Sequence, residues 1–182
     1  HLEAGVAQEN ILLFGRSIGS GPATYLAAGR NPGALILMSA YTSIRAVVRD
    51  YFGKLAQYLV AERFNNLEEI QNVKCPVLLL HGAADKLITK EHAISLFRAC
   101  KKTACKLKLS DTMTHNEYDI DEDVINPIKD FFKDYNIKVE GEDFFYEFPD
   151  EFYLTPECLK GKKNKRPLIS KLFDKLIEMN DV

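Results

Sequence analysis

Three short runs of consecutive apolar residues stand out along the chain, at positions 11–14, 34–38 and 77–80. Runs of this length without polar alternation are typical of parallel strands that are covered on both faces. A fourth run, at 106–109, alternates lysine with leucine and predicts a half-exposed strand near a sheet edge. The pattern therefore predicts four strands, three of them buried.

Segments with helical spacing lie between or after these runs, at positions 22–28, 89–100 and 124–135. Strands that alternate with helices predict an α/β fold with a mainly parallel sheet and helices on both faces. In such folds the functional site lies outside the carboxyl ends of the strands. The loops that follow the strands are therefore where we expect the chemistry.

The stretch between the second and third strands has helical spacing at 44–51 and 55–64. One interpretation is a helical insertion that lies over the strand ends, where it could act as a lid. The other is an ordinary crossover helix. The pattern does not favour either.

Composition narrows the class of protein. The 182 residues are 46% hydrophobic with a net charge of -2, which indicates a soluble domain with a substantial core and no general attraction to nucleic acid. No run is long enough to span a bilayer, so we expect a cytoplasmic location, with the cytoplasmic face of a membrane as the alternative. Four cysteines without zinc-site spacing are interpreted as reduced thiols: Cys75, Cys100, Cys105 and Cys158.

The first strand leads into the pattern Gly15-x-Ser17-x-Gly19, and a helix follows it. Strand, sharp turn and helix form the context of a nucleophile elbow, in which a strained turn presents a serine above the sheet edge. Such a turn needs minimal side chains two residues on either side of the serine, and we expect Gly15 and Gly19 to meet that need. On the pattern alone, a glycine-rich turn with an incidental serine is an equal alternative.

A serine hydroxyl needs a base to become a nucleophile, and two later loops supply candidates. His115 lies in the loop after the fourth strand, and Asp85 lies in the loop after the third. A carboxylate at Asp85 could orient the imidazole and steady its charged form, while the other ring nitrogen faces Ser17. The sequence order Ser, Asp, His at one edge of the sheet is more specific than the elbow alone.

Less reactive interpretations of the same residues stay open. A histidine in a polar loop is often only solvated, and Asp85 could be a simple turn residue. His81 and His92 are weaker base candidates: we expect the first to pack its strand and the second to face water from a helix. Two rival acids flank the candidate base in its own loop, at Asp111 and Asp119.

Four segments together resemble the α/β-hydrolase superfamily: GRSIGSGPA at 15–23, LMSAYTSI at 37–44, CPVLLLHGAADKLI at 75–88 and THNE at 114–117. Within it they most resemble the α/β-hydrolase-domain proteins that include membrane-associated protein depalmitoylases, which are acyl-protein thioesterases. The resemblance covers about residues 6 to 137. It implies the C-terminal part of an α/β-hydrolase fold, and a chain that is truncated at its N-terminus.

The resemblance also implies roles for individual residues. Ser17 would be the nucleophile, Asp85 the acid and His115 the base, and the backbone N–H of Ile18 would form half of the oxyanion hole. The family takes its second oxyanion donor from a loop after an earlier strand. The chain begins at His1, just before the elbow strand, so we expect that loop upstream; losing one donor costs roughly 3–4 kcal/mol of barrier.

The predicted function is hydrolysis of an ester or thioester through an acyl-enzyme, with an acylated protein or lipid-like ester as substrate. This chemistry requires no metal or cofactor. The alternatives are a lipid esterase or serine peptidase of the same fold. A further alternative, from another class, is a non-catalytic fragment or scaffold that lacks the front of the sheet.

The composition changes after residue 138, which divides the chain into a partial catalytic domain at 1–138 and an extension at 139–182. The extension begins with an acidic and aromatic stretch at 140–153, interpreted as a segment that wraps the core or as a docking peptide. A basic run at 160–166 and an amphipathic helix at 168–179 follow. They suggest peripheral contact with an anionic membrane, with a solvated linker and a core-docked helix as alternatives.

Overall fold

The computed structural model describes residues 5–138, and within them the predicted α/β architecture is confirmed. Four strands form one sheet in the order β1-β2-β3-β4, and every neighbouring pair is parallel. The strands are β1 (Leu12–Arg16), β2 (Ala34–Met38), β3 (Val77–Gly82) and β4 (Cys105–Ser110). The interpretations of residues 139–182 lie outside the described part of the chain.

Helices connect the strands as the periodicity predicts. They are α1 (Ser20–Gly29), α2 (Ile44–Phe52), α3 (Asn66–Glu69), α4 (Lys90–Ala99) and α5 (Asn126–Asp134). Shorter 3₁₀ turns occur at Gln8–Asn10, Ser17–Gly19, Ala56–Leu59 and Ile70–Asn72, and a π-helical turn at Ile120–Ile125 leads into α5. No helix within residues 5–138 is long and apolar enough to cross a bilayer.

Side chains on the two faces of the sheet pack into two separate apolar clusters. Leu35 and Leu37 point to the face that α1 and α4 cover, whereas Ile36 and Met38 point to the face that α5 covers with Phe131. This alternation explains why all five residues of β2 are buried and apolar. The sheet is therefore a middle layer between helices, and its free carboxyl edge carries the loops.

The first strand differs from its prediction. We expected a buried strand at 11–14, but Leu12 is 39% exposed and Phe14 is 51% exposed. The reason is position: β1 pairs only with β2 among the described residues and is an edge of the sheet. The exposed apolar side chains are those that a further strand or helix would cover.

The stretch between β2 and β3 contains a crossover helix and an additional helical segment. α3 and the turn after it pack against α1 and make the crossover, whereas α2 packs mainly against the turn at Ala56–Leu59. The helix predicted at 55–64 is wrong: only that 3₁₀ turn forms, and Leu59 is 87% exposed. Ser43 caps the N-terminus of α2, and its hydroxyl accepts from the N–H of Ala46 at 3.1 Å.

Candidate active site

Three side chains from separate loops meet at the carboxyl edge of the sheet. Oγ of Ser17 lies 3.0 Å from Nε2 of His115. Nδ1 of the same imidazole lies 2.8 Å from Oδ2 of Asp85. The structure therefore brings together the hydroxyl, the imidazole and the carboxylate that the sequence selects, each within proton-transfer distance of the next.

The buried carboxylate fixes the tautomer of the imidazole. The Asp85 side chain has no solvent exposure, and an ionised carboxylate can only accept hydrogen bonds. Nδ1 of His115 therefore carries the hydrogen, which leaves the lone pair of Nε2 directed at Ser17. A hydroxyl hydrogen on Oγ satisfies that lone pair, so the resting arrangement has the polarity that proton abstraction from Ser17 requires.

Asp85 is both a turn residue and an acid. Its Oδ1 accepts the N–H groups of Leu87 at 2.9 Å and Ile88 at 2.8 Å, which leaves Oδ2 for His115. Burial, the largest influence, raises the pKa of this carboxyl, but the hydrogen bond and charge of His115 and the N–H of Ile88 outweigh it. The net pKa of Asp85 lies below its ordinary value, so the group is ionised at neutral pH.

Ser17 has a left-handed backbone conformation, with φ at +50°, which is costly for a residue with a side chain. It lies between the end of β1 and the start of α1, as the elbow pattern predicts. A Cβ added at Gly15 would lie 2.7 Å from both the Cβ of Ala23 and the backbone oxygen of Gly19. Gly15 therefore lets the helix close against the strand.

Gly19 does not have the steric role that we expected. Its φ is −67°, and an added Cβ would meet nothing within 4 Å among the described residues. The crowding lies on the strand side of Ser17, because α1 folds back over Gly15. The steric argument for the elbow therefore depends on Gly15 alone.

A chain of buried hydrogen bonds holds the elbow, and no sequence pattern predicts it. The hydroxyl of Ser20 donates to the backbone oxygen of Ser17 at 2.7 Å. The amide of Asn66 then donates to Ser20 Oγ at 3.1 Å and to the backbone oxygen of Tyr41 at 2.9 Å. Asn66 is fully buried at the start of α3, so the crossover is tied to the strained turn.

Close backbone contact brings the loop that carries His115 next to the loop that carries Asp85. A Cβ on Gly82, the last residue of β3, would lie 2.0 Å from the backbone oxygen of Met113. Only glycine permits this approach, and the N–H of Ala83 donates to the backbone oxygen of Ser110 at 2.7 Å beside it. The loop after β4 therefore lies directly against the strand that ends before Asp85.

The remaining histidines and acids do not take the place of the three site residues, although Nε2 of His81 lies 3.8 Å from Oδ2 of Asp85. His81 is buried, as expected, and its Nε2 donates to the backbone oxygen of Ile88 at 2.7 Å. Burial, the largest influence, lowers the pKa of His81, which indicates a neutral ring. The carboxylate on His115 is that of Asp85 rather than that of Asp111 or Asp119; Asp119 accepts the N–H groups at the start of the π-helical turn instead.

The prediction for His92 is wrong, because it is buried rather than facing water. Its Nδ1 accepts the N–H of Thr42 at 3.2 Å, and its Nε2 lies 3.2 Å from Oδ2 of Asp50 on α2. Burial, the largest influence, lowers the pKa of His92, against an opposing effect of Asp50. The contact between His92 and Asp50 thus joins α4 to α2. The hydroxyl of Tyr51, also on α2, donates to the backbone oxygen of Lys86 in the loop that carries Asp85.

Cys75, Cys100 and Cys105 are free thiols, as predicted, and Cys158 lies outside the described residues. The first two are buried in the cluster between the sheet and α4, well inside the core. They have no contact with the three site residues. The site therefore depends on oxygen and nitrogen groups alone.

The arrangement of the chain resembles solved hydrolase structures. A puromycin hydrolase matches with a TM-score of 0.60 and 13% identity, over 77% of this chain and 24% of that chain. An α/β-hydrolase enzyme from a sediment metagenome matches with a TM-score of 0.55 and 19% identity, over 71% of this chain and 64% of that chain. These likenesses establish that the chain has the α/β-hydrolase fold.

Sequence comparison gives particular relatives within that class, although no family model matches the chain. The human "Alpha/beta hydrolase domain-containing protein 17B" is 30% identical over 127 residues, which cover 70% of this chain and 43% of the relative. The Caenorhabditis elegans "Alpha/beta hydrolase domain-containing protein aho-3" is 33% identical over 98 residues, which cover 54% and 29% respectively. The chain thus spans less than half the length of these relatives.

Proposed function

We propose that the protein is a serine hydrolase that cleaves an ester or thioester through an acyl-enzyme on Ser17. The observation that carries the proposal is the continuous path from Ser17 Oγ through His115 to Asp85, with contacts of 3.0 Å and 2.8 Å. The similarity to α/β-hydrolase proteins supports the same class.

The reaction begins with a proton transfer. Nε2 of His115 takes the proton of Ser17 as Oγ attacks the substrate carbonyl carbon, and Asp85 stabilises the resulting imidazolium. Collapse of the tetrahedral intermediate breaks the bond to the leaving group, which receives the proton from Nε2. His115 then removes a proton from water, the hydroxide attacks the acyl-enzyme, and Ser17 Oγ leaves with that proton.

The negative charge on the substrate oxygen requires N–H donors. In our proposal the backbone N–H of Ile18 supplies one, because it directly follows the nucleophile at the start of the helical turn Ser17–Gly19. A second donor of the family type would come from a loop after an earlier strand. Within the described residues β1 is an edge of the sheet, so its free backbone edge is where such a strand would pair.

A long-chain acyl-protein thioester is the substrate class that we propose. Its support is the resemblance of the elbow, acid and base segments to depalmitoylases, together with the similarity to the 17B protein. A thiolate is a better leaving group than an alkoxide or an amine, so the tetrahedral intermediate of a thioester collapses to the acyl-enzyme most readily.

Peptide or amide cleavage is the second candidate, because a known peptidase shares this fold. The fold matches that of an acylaminoacyl peptidase from Pyrococcus horikoshii with a TM-score of 0.58, over 80% of this chain. The two candidates share the acyl-enzyme and differ in the leaving group. A fold does not choose between them.

Hydrolysis of three matched compounds tests the choice: one acyl group presented as a thioester, an oxygen ester and an amide. We expect the thioester to be hydrolysed fastest by the wild-type chain, and Ser17→Ala to abolish the reaction. The half-buried Ser95, whose hydroxyl donates to the backbone of its own helix, gives the control Ser95→Ala. Preferential amide cleavage would favour the peptidase, and equal rates in wild type and Ser17→Ala would exclude both.

Peripheral membrane contact through the extension is a separate proposal, which depends only on the basic run at 160–166 and the apolar spacing at 168–179. Flotation with vesicles that contain anionic lipid tests it. We expect the full chain to float with the vesicles and a chain that ends before Gly161 to stay behind. Equal partitioning of both would exclude a membrane contact in this segment.

A further inference from the structure

Arg16 links the strand that carries the nucleophile to the loop that carries the base. Its Nη2 donates to the backbone oxygen of His115 and, at 3.2 Å, to Oδ1 of Asn116. Arg16 is the last residue of β1 and directly precedes Ser17. One side chain thus joins the backbone on either side of the Ser17–His115 contact.

A third contact extends the link along the same loop. The guanidinium carbon of Arg16 lies 5.7 Å from the centre of the Tyr118 ring, which is within cation–π range. The planar guanidinium can donate to two acceptors while its face covers a ring, and an ammonium group cannot do both. Arg16 therefore contacts the loop at three of four consecutive positions.

The topology of the sheet explains why the loop needs such a link. Ser17 follows β1 and His115 follows β4, which are the two ends of the strand order in the described sheet. Three strand spacings separate these ends, about 14 Å at the usual distance between strands. The loop after β4, which carries His115, must cross that distance over the carboxyl edge of the sheet. A contact on the β1 side fixes the position of His115 next to Ser17.

The other contacts of the loop, which include the hydrogen bond of His115 to Asp85 at 2.8 Å, lie on the β3 side of the sheet. Met113 packs against Gly82, and Thr114 and Glu117 bond to each other within the loop, with the N–H of Thr114 2.9 Å from the backbone oxygen of Glu117. These contacts shape the turn around His115 without connecting it to β1. The Nε of Arg16 is buried with no hydrogen-bond partner among residues 5–138, so the orientation of Arg16 depends on its contacts with the loop.

We propose that Arg16 is a positioning residue that holds His115 at proton-transfer distance from Ser17. It touches neither the substrate nor the reacting atoms, and the inference rests on the proposed serine hydrolase function. Removing the link lets the loop drift on the β1 side. A displacement of about 1 Å between reacting groups costs on the order of 100-fold in rate.

The test is the second-order rate of labelling by a fluorophosphonate probe, which requires Ser17 activated by His115. We expect Arg16→Met to slow labelling by about 10- to 100-fold. Arg16→Lys should recover part of the rate, because an ammonium can still donate to the backbone oxygen of His115. Arg30→Met makes the same change at an exposed arginine beyond the end of α1 and should label within about twofold of wild type.

A second measurement separates positioning from a general loss of structure. With a small activated ester as substrate, Arg16→Met should lower kcat and leave KM within about twofold, since a positioning residue acts on His115 and not on substrate binding. If Arg16→Met does not fold, the labelling rates of Asn116→Ala and Arg16→Lys test the positioning role instead. Labelling several-fold slower than wild type in both supports the proposal, and wild-type rates in both overturn it.

The outcomes distinguish the positioning role of Arg16 from the proposed serine hydrolase function. A folded wild-type chain that the probe does not label overturns the proposed function, and the role of Arg16 with it. A labelled wild type whose rate matches that of folded Arg16→Met overturns the positioning role alone. A slow Arg16→Met with a matching rise in KM and unchanged kcat would also contradict it, because that pattern belongs to a binding residue.

Discussion

Nε2 of His115 lies 3.0 Å from Oγ of Ser17, although 98 positions of sequence separate the two residues. The contact forms because parallel strands place the elbow after β1 and the loop after β4 at the same edge of the sheet. Asp85, after β3, reaches the imidazole from the strand in between. The site is thus a product of the strand order, and its geometry is sensitive to changes that shift any of the three loops.

The orienting role of Asp85 predicts a large loss of reactivity in Asp85→Asn. An amide can donate to Nδ1 of His115, which favours the tautomer whose Nε2 carries the hydrogen and can no longer accept the proton of Ser17. We expect fluorophosphonate labelling to slow by on the order of 10³- to 10⁴-fold in a chain that still folds. Asp111→Asn in the neighbouring loop is the control, and a comparable loss there would mean that the acid had been misassigned.

The two elbow glycines should respond differently to alanine. An added Cβ at Gly15 meets Ala23 and the backbone at 2.7 Å, so we expect Gly15→Ala to lower the free energy of unfolding by about 1–3 kcal/mol. Gly19 has open space and a helical φ, so Gly19→Ala should be neutral or stabilise by up to about 1 kcal/mol. Denaturant unfolding of both variants measures this, and equal destabilisation would show that the elbow geometry is wrong.

The buried bridge from Asn66 to the elbow predicts a loss of stability when it is removed. Asn66→Ala leaves the hydroxyl of Ser20 and the backbone oxygen of Tyr41 without their donor, which should cost about 1–3 kcal/mol of unfolding free energy. Gln71→Ala removes an exposed amide that bonds only within its own turn, and it should cost less than about 0.5 kcal/mol. Comparable losses in the two variants would argue against a structural role for the bridge.

His92 predicts a pH dependence of stability. Because the folded pKa of His92 is lowered, mainly by burial, the unfolded state binds the proton more readily, and stability falls as the pH drops below the unfolded value of about 6.5. His92→Gln lacks this group and should lose less unfolding free energy between pH 7 and pH 5. His81, whose pKa is also lowered, is present in both proteins. Identical pH profiles would show that His92 is not protonated on unfolding in this range.

The sequence predicted those parts of the fold in which the local pattern and the tertiary environment agree. β2 is uniformly apolar and is buried over the range predicted for it. The run in β1 looks the same, but its exposure depends on what pairs beyond it, which a local pattern does not contain. The segment 55–64 has helical spacing without a core to pack against, so only one short turn forms.

The site shows the same limit. Ser17, Asp85 and His115 could be selected because each follows a strand, and topology brings the ends of parallel strands together. His92 could not be interpreted from its helix, because Asp50 and Thr42 cover it from elements 40 to 50 positions away in sequence. Arg16 and Asn66 act through contacts with the backbone of distant loops, which leave no spacing pattern to detect.

The most direct test of the central claim is to find where a fluorophosphonate probe attaches to the folded chain. If Ser17 is the nucleophile, peptide mapping by mass spectrometry will find one phosphonate on the peptide that contains Ser17, and none in Ser17→Ala or His115→Ala. A folded chain that stays unmodified, or one modified equally well after Ser17→Ala, would contradict the account.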